Sequence, residues 1–373
     1  MAELMNASDQ LVTRPADEHF ASFRDMQKAA RTDQANHREV ELPLTDLRFT
    51  SLDGTLRVMR KEGGHTYGLT HYSFGQICQA VGSRREFLGS RLSLPVAVTA
   101  LNDAVQHVDD GAAKLLLGTV TNSRLETAEP VLRAITSPGY CRVWDADLLN
   151  EVNEWLLPNG FTPALPTINT DAQRNNILGN NKPCLFRGDR GTFSFYMTPE
   201  KDNQDGHGDR PVRRGVIVGN SEVGQRSLWT KRFVLDEMCA NFIIWGAKVV
   251  KTQRIIHRGS SDRNLLRRFR TELRQCTPGL AKQEIEILRK ANKTFFAPST
   301  KEAAARLAKQ FGLTEAFAQQ ALAAATDAEN RGTKALTHAW IANGVTSAAK
   351  ATGNADTLAA MAEVGGDIFA AAV

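Results

Sequence analysis

Gly219 and Gly224 stand at the spacing of a phosphate-binding loop, at the exit of the β-branched run Val216-Ile217-Val218. A working loop of that kind needs a Lys directly after the second glycine, then a Ser or Thr hydroxyl for Mg²⁺. Those places hold Gln225 and Arg226, and Ser227 falls one position late. Nucleotide hydrolysis is not expected. Phosphate contact through Arg226 or the backbone N–H groups of the turn stays open. The simpler reading is a glycine-bearing β-turn in which Glu222 hydrogen-bonds the backbone.

Other chemistry finds less support. Carboxylates pair at Asp109-Asp110 and Asp236-Glu237 and gather across Asp202, Asp205 and Asp209, yet no spacing marks a two-metal nuclease or a calcium loop. The eight histidines include no H-E-x-x-H, and no G-x-S-x-G accompanies the serines. His65 and His71, flanking Tyr67 and Tyr72, are placed to share a groove wall or to pack at a sheet edge. Five dispersed cysteines without a C-x-x-C pair suit reduced, buried thiols and no zinc site. No metal or cofactor is expected.

Positive charge offers more. Between Lys248 and Lys293 stand 13 Lys and Arg against 4 Asp and Glu, in a chain of net charge +5, so the remainder is mildly acidic. A one-signed excess points to a polyanionic partner, with a solvated helix face as the competing account. Arg263, Arg267, Arg270 and Arg274 follow i, i+4, i+7, i+11 spacing and would form one stripe on a helix. If Gly246–His257 is a strand, Lys248, Arg254 and Arg258 share a face and Lys251 takes the other. These residues and Arg226 form the expected nucleic-acid-binding set. Lys231 and Arg232 punctuate the same region, which also carries Trp229, Phe233, Phe242 and Trp245. Single strands are gripped by such basic tracks with aromatic faces for the bases. Large aromatics usually bury, however, and core packing is the expected role of Trp229, Phe242 and Trp245.

The elements that must hold these residues read as an α+β protein with a mixed or antiparallel sheet, followed by a largely helical C-terminal region. Residues 1–40 are polar and aperiodic, as in a flexible or loosely docked lead-in; 41–260 form the α+β core; 261–373 are helical and alanine-rich. Asp53-Gly54 is a hairpin signal. Ser73 is a candidate N-cap for a helix, and Pro95 sits in the first turn of another. Leu115–Val120, Val131–Ser137 and Thr192–Met197 read as strands and Asp145–Leu157 as a helix. No run of eighteen apolar residues and no signal-peptide core occurs, so a cytosolic protein without membrane contact is expected.

Gly215-Val216-Ile217-Val218, then Asn220-Ser221-Glu222-Val223-Gly224, then Cys239-Ala240-Asn241-Phe242 resemble the phage/plasmid-like protein family, whose shared domain is of unknown function. That family has N-S-E-x-G and C-x-N-G at these places; Phe242 departs from it where Gly is usual. The likeness extends to Leu94-Pro95, Arg133-Ala134-Ile135-Thr136-Ser137 and the late Ala342-Asn343-Gly344-Val345-Thr346, over roughly residues 65–370. It implies a protein of a mobile element concerned with DNA, and supplies no catalytic set. The expected function is non-catalytic binding of nucleic acid, in particular single-stranded DNA for annealing in recombination or replication, with a homo-oligomeric ring suited to that role. Two alternatives stand beside it: binding of a host protein through the basic surface, and a metal-dependent enzyme using Glu222, Asp236 and His257.

Overall fold

The computed structural model describes residues 17–108, 111–122, 127–164, 183–198, 212–236, 241–244, 253–258, 261–276, 282–329, 333–352 and 355–373. Two sheets organise them into an α+β protein with helices gathered late in the chain.

The first sheet contains β2 (His37–Pro43), β3 (Leu47–Leu52), β4 (Thr55–Arg60), β5 (Tyr67–Leu69), β6 (Ala112–Asn122) and β7 (Thr127–Thr136), in the order β2-β6-β7-β5-β4-β3. All its pairings are antiparallel except β5 with β7. Asp53 and Gly54 turn β3 into β4 with φ values of 51° and 71°, the left-handed pair that a two-residue hairpin requires. Helices α2 (His71–Ala80) and α3 (Leu94–Ala104) press Phe74, Ile77 and Leu101 onto Phe49, Val58, Leu115 and Leu132 of this sheet. Thr70, not Ser73, is the N-cap of α2: Ser73 supplies the other half of a capping box, its hydroxyl accepting from the Thr70 N–H.

The second sheet runs β1 (Glu18–His19), β9 (Leu185–Arg187), β10 (Thr192–Met197), β11 (Val212–Asn220), β12 (Leu228–Asp236), β13 (Asn241–Ile244), with β8 (Thr162–Pro163) on β10 and β14 (Gln253–Ile255) on β12. Every residue of β10 is buried, as a strand covered on both faces must be. On one face Tyr196, Val216, Val218 and Leu228 meet α1 (Phe23–Asn36), α4 (Asp145–Trp155) and α5 (Asp262–Arg274). On the other, Phe193, Phe195, Ile217, Trp229 and Phe233 meet α9 (His338–Lys350) and α10 (Ala355–Ala370). The remaining helices, α6 (Lys282–Lys293), α7 (Thr300–Phe311) and α8 (Glu315–Glu329), close a bundle with α9 and α10 around Leu307, Trp340 and Ile341.

Three further sequence expectations change. The lead-in carries a docked helix, α1, whose Gln27 and Arg31 both donate to Asn150 on α4, at 3.0 and 2.8 Å. Residue 260 is no structural divide, because α5, α9 and α10 all pack on the second sheet. Strand β14 ends at Ile255, short of the strand expected through His257.

Candidate nucleic-acid interface

Helix α5 shows how a basic stripe is sorted by its neighbours. Leu265, Phe269 and Leu273, spaced by four, bury against α4 and the second sheet. Asp262 in the first turn and Arg274 in the last match the helix dipole. Arg263, Arg267, Arg268 and Arg274 are exposed, while Arg270 is only half so. At 100° per residue the predicted stripe lies on one shoulder of the solvent face, and Arg270 is the member turned furthest toward the core. It meets Glu151 of α4 through two hydrogen bonds of 2.7 and 2.6 Å. One turn further along α4, Trp155 takes the Arg274 guanidinium over its ring at 3.8 Å. The expected four-residue stripe is therefore three exposed arginines plus one tied to a carboxylate. Arg268 is exposed as well, but it falls on the opposite shoulder of the helix, one turn before the half-buried Glu272.

The other predicted residues fall elsewhere. Lys248 and Lys251 lie outside the described residues. Arg254 and Arg258 are exposed and alternate with buried Ile255 and His257, leaving Ile256 between them 69% exposed. Arg254 pairs with Trp229 across the ladder. Paired residues share a face of a sheet, so Arg254 belongs to the α10 side, opposite α5. Arg226 joins that side, its guanidinium 5.5 Å from the Phe193 ring centroid. So does Lys231, 4.6 Å from the Trp229 centroid and ion-paired to Glu363 of α10. One continuous track from Arg254 through α5 does not form, because the sheet separates its parts. Trp229 and Phe233 are core residues; Trp245 lies outside the described residues.

The phosphate-loop look-alike is a buried tie. Glu222 is 1% exposed. Its carboxylate accepts from Arg133 on β7 at 3.0 Å, from Arg187 on β9 at 3.4 Å, and from the backbone N–H of Asp145 at 2.8 Å. That N–H opens α4, whose own N-cap residue, Trp144, makes no side-chain cap, so Glu222 caps the helix from a distant loop. Arg187 also bonds Asp145 at 3.0 Å and pairs with Asp33 of α1. Asn220 donates to Val143 O and to Asp145, both at 2.8 Å, and Tyr140 OH donates to Ser221 O at 2.6 Å. Burial alone would disfavour the Glu222 charge, but Arg133, Arg187 and the Asp145 N–H outweigh it and hold its pKa below the ordinary value. Asp145 shifts the other way, through burial and the Glu222 charge. Gly219 is required: a Cβ there would fall 2.5 Å from the Trp229 ring.

The two histidines of the expected groove wall part company. His65 is exposed beside Tyr67, whereas His71 is buried, 2.6 Å from Arg85 and 3.6 Å from Asp189. Cys78, Cys184 and Cys276 are buried free thiols, and burial pushes those of Cys78 and Cys184 up to about 12. Among the described residues no group of three or more His, Cys, Asp or Glu side chains is arranged to hold a metal, and no helix is long and apolar enough to cross a membrane. No family model, curated protein or solved structure matches the chain.

Proposed function

We propose that the protein binds single-stranded nucleic acid without hydrolysing it, holding phosphates along the outward face of α5 through Arg263, Arg267, Arg268 and Arg274. One observation carries this reading: four guanidinium groups stand exposed on α5, three of them (Arg263, Arg267 and Arg274) on one shoulder, while Glu151 of the facing helix α4 is already taken by Arg270. From Arg263 to Arg274 the helix rises about 16 Å, room for several phosphates. Arg254 and Arg258 offer a second, separate contact with the exposed Ile256 between them. The same resemblance that suggests a mobile element makes annealing during recombination or replication the favoured role. The commitment of Glu222 to two arginines and a helix terminus weighs against its use as a catalytic carboxylate.

Fluorescence anisotropy of labelled single- and double-stranded oligonucleotides, without added metal, tests the proposal. Saturable binding that prefers single strands and weakens with salt is expected. Absence of binding at low salt defeats it and directs attention to an acidic protein partner.

A further inference from the structure

An open bowl of about 350 Å³ lies at one end of the first sheet, far in sequence from α5. It is at the small end of the ~300–1,000 Å³ typical of small-molecule sites. Register explains its walls. Arg38 pairs with Leu117, Thr119 pairs with Pro130, and the parallel pairing of Gly68 with Val131 sets Tyr67 beside Pro130. Side chains alternate along a strand, so Arg38, Leu117, Thr119, Pro130 and Tyr67 share one face, with Gly118 and Gly68 at the intervening level. It is the face that α2 and α3 cover further along the strands. His65 completes the rim.

The chemistry of this wall is specific. Leu117 and Pro130 are apolar, the half-buried Tyr67 offers a ring, and the exposed Arg38 reaches the Tyr67 hydroxyl at 3.5 Å. No carboxylate is among the lining residues described. Two nearby acids are engaged elsewhere, Glu129 with Arg57 at 3.4 Å and Glu39 with Arg142 at 2.9 Å. An aromatic and apolar wall next to an uncompensated guanidinium suits a flat ring that carries an anion. We infer that the bowl binds one nucleotide unit, its base against Tyr67 and Pro130 and its phosphate on Arg38 and His65. Base stacking on an aromatic ring and a guanidinium–phosphate contact are the two interactions that together favour such a ligand over either half alone.

The unit can come as a free mononucleotide or as one residue of a strand, and titration calorimetry separates the two. The probes are 2′-deoxyadenosine 5′-monophosphate, 2′-deoxyadenosine, inorganic phosphate and an eight-residue oligodeoxyadenylate. Saturable binding of the monophosphate, stronger than that of deoxyadenosine or phosphate, is expected. Arg38→Gln, at an exposed position, should weaken it about tenfold or more, and Tyr67→Leu should do the same by removing the stack. Arg38-dependent binding of the oligonucleotide alone assigns the bowl to a residue within a strand and upholds the inference. If neither probe binds in a manner sensitive to Arg38→Gln, the inference is overturned. Arg267→Glu should leave monophosphate binding unchanged, so failure here and failure of the α5 reading are distinguishable.

Discussion

Arg187 and Arg267 are the same residue type put to opposite uses. Arg187 is buried among Glu222, Asp145 and Asp33, and with Arg133 it joins the two sheets through one carboxylate. Arg267 stands in solvent on α5, with Arg263, Arg268 and Arg274 around it. The difference lies in the partners. Where carboxylates converge from several segments, arginine becomes architecture; where they are withheld, it is free to meet an external anion. Arg270 marks the boundary, since one buried glutamate is enough to draw it from the second group toward the first.

Breaking the buried side of this comparison should have the largest effect. Glu222→Gln leaves Arg133 and Arg187 without their shared anion and should cost about 3–5 kcal/mol, read from urea denaturation. A loss below about 1 kcal/mol would mean that the tie is not structural.

Acidity comes next. His257 is buried, its Nδ1 3.1 Å from Cys141 O and its ring stacked on Tyr140, and burial pulls its pKa down to about 4. The unfolded chain therefore binds a proton between about pH 6.5 and 4 that the folded chain refuses. Stability from this group is complete above about pH 6.5 and falls as the pH drops toward 4, by about 3 kcal/mol in all. His257→Gln should flatten that part of the stability–pH curve; an unchanged slope would place the acid sensitivity elsewhere.

Smaller again is Arg270→Gln, which strands Glu151 and should cost about 1–3 kcal/mol while altering oligonucleotide affinity less than Arg267→Gln does. Smallest for folding are Arg263→Gln, Arg267→Gln and Arg268→Gln, each within about 0.5 kcal/mol of wild type by thermal denaturation, while Arg274→Gln should cost about 0.5–1 kcal/mol through loss of its contact with Trp155. A large loss at Arg267 would collapse the distinction between the two groups.

Local features were legible in the sequence, and long-range ones were not. Asp53-Gly54 announces its hairpin because the turn conformation depends on those two residues alone. The α5 stripe is readable from period, since exposure follows from where Leu265, Phe269 and Leu273 fall. The capture of Arg270 is not, because Glu151 lies more than a hundred residues away. The Glu222 tie draws on positions 133, 145 and 187, so its turn reads as a damaged phosphate loop until those partners are placed. Helix α1 escapes for another reason: only Met26 and Ala30 bury from it, too few to leave a period. The bowl at Arg38 and Tyr67 depends on strand order, which brings residues 38, 67, 117 and 130 together without any motif.

The salt dependence of single-stranded oligonucleotide binding is the decisive test of phosphate contact by α5, comparing wild type with a variant in which Arg263, Arg267, Arg268 and Arg274 are all glutamine. Each phosphate contact contributes about 0.7 to the slope of log affinity against log salt on single strands. A variant slope shallower by up to about 3 is expected, with the thermal midpoint held close to wild type. An unchanged slope, or a wild-type protein that does not bind at low salt, would contradict phosphate contact by α5.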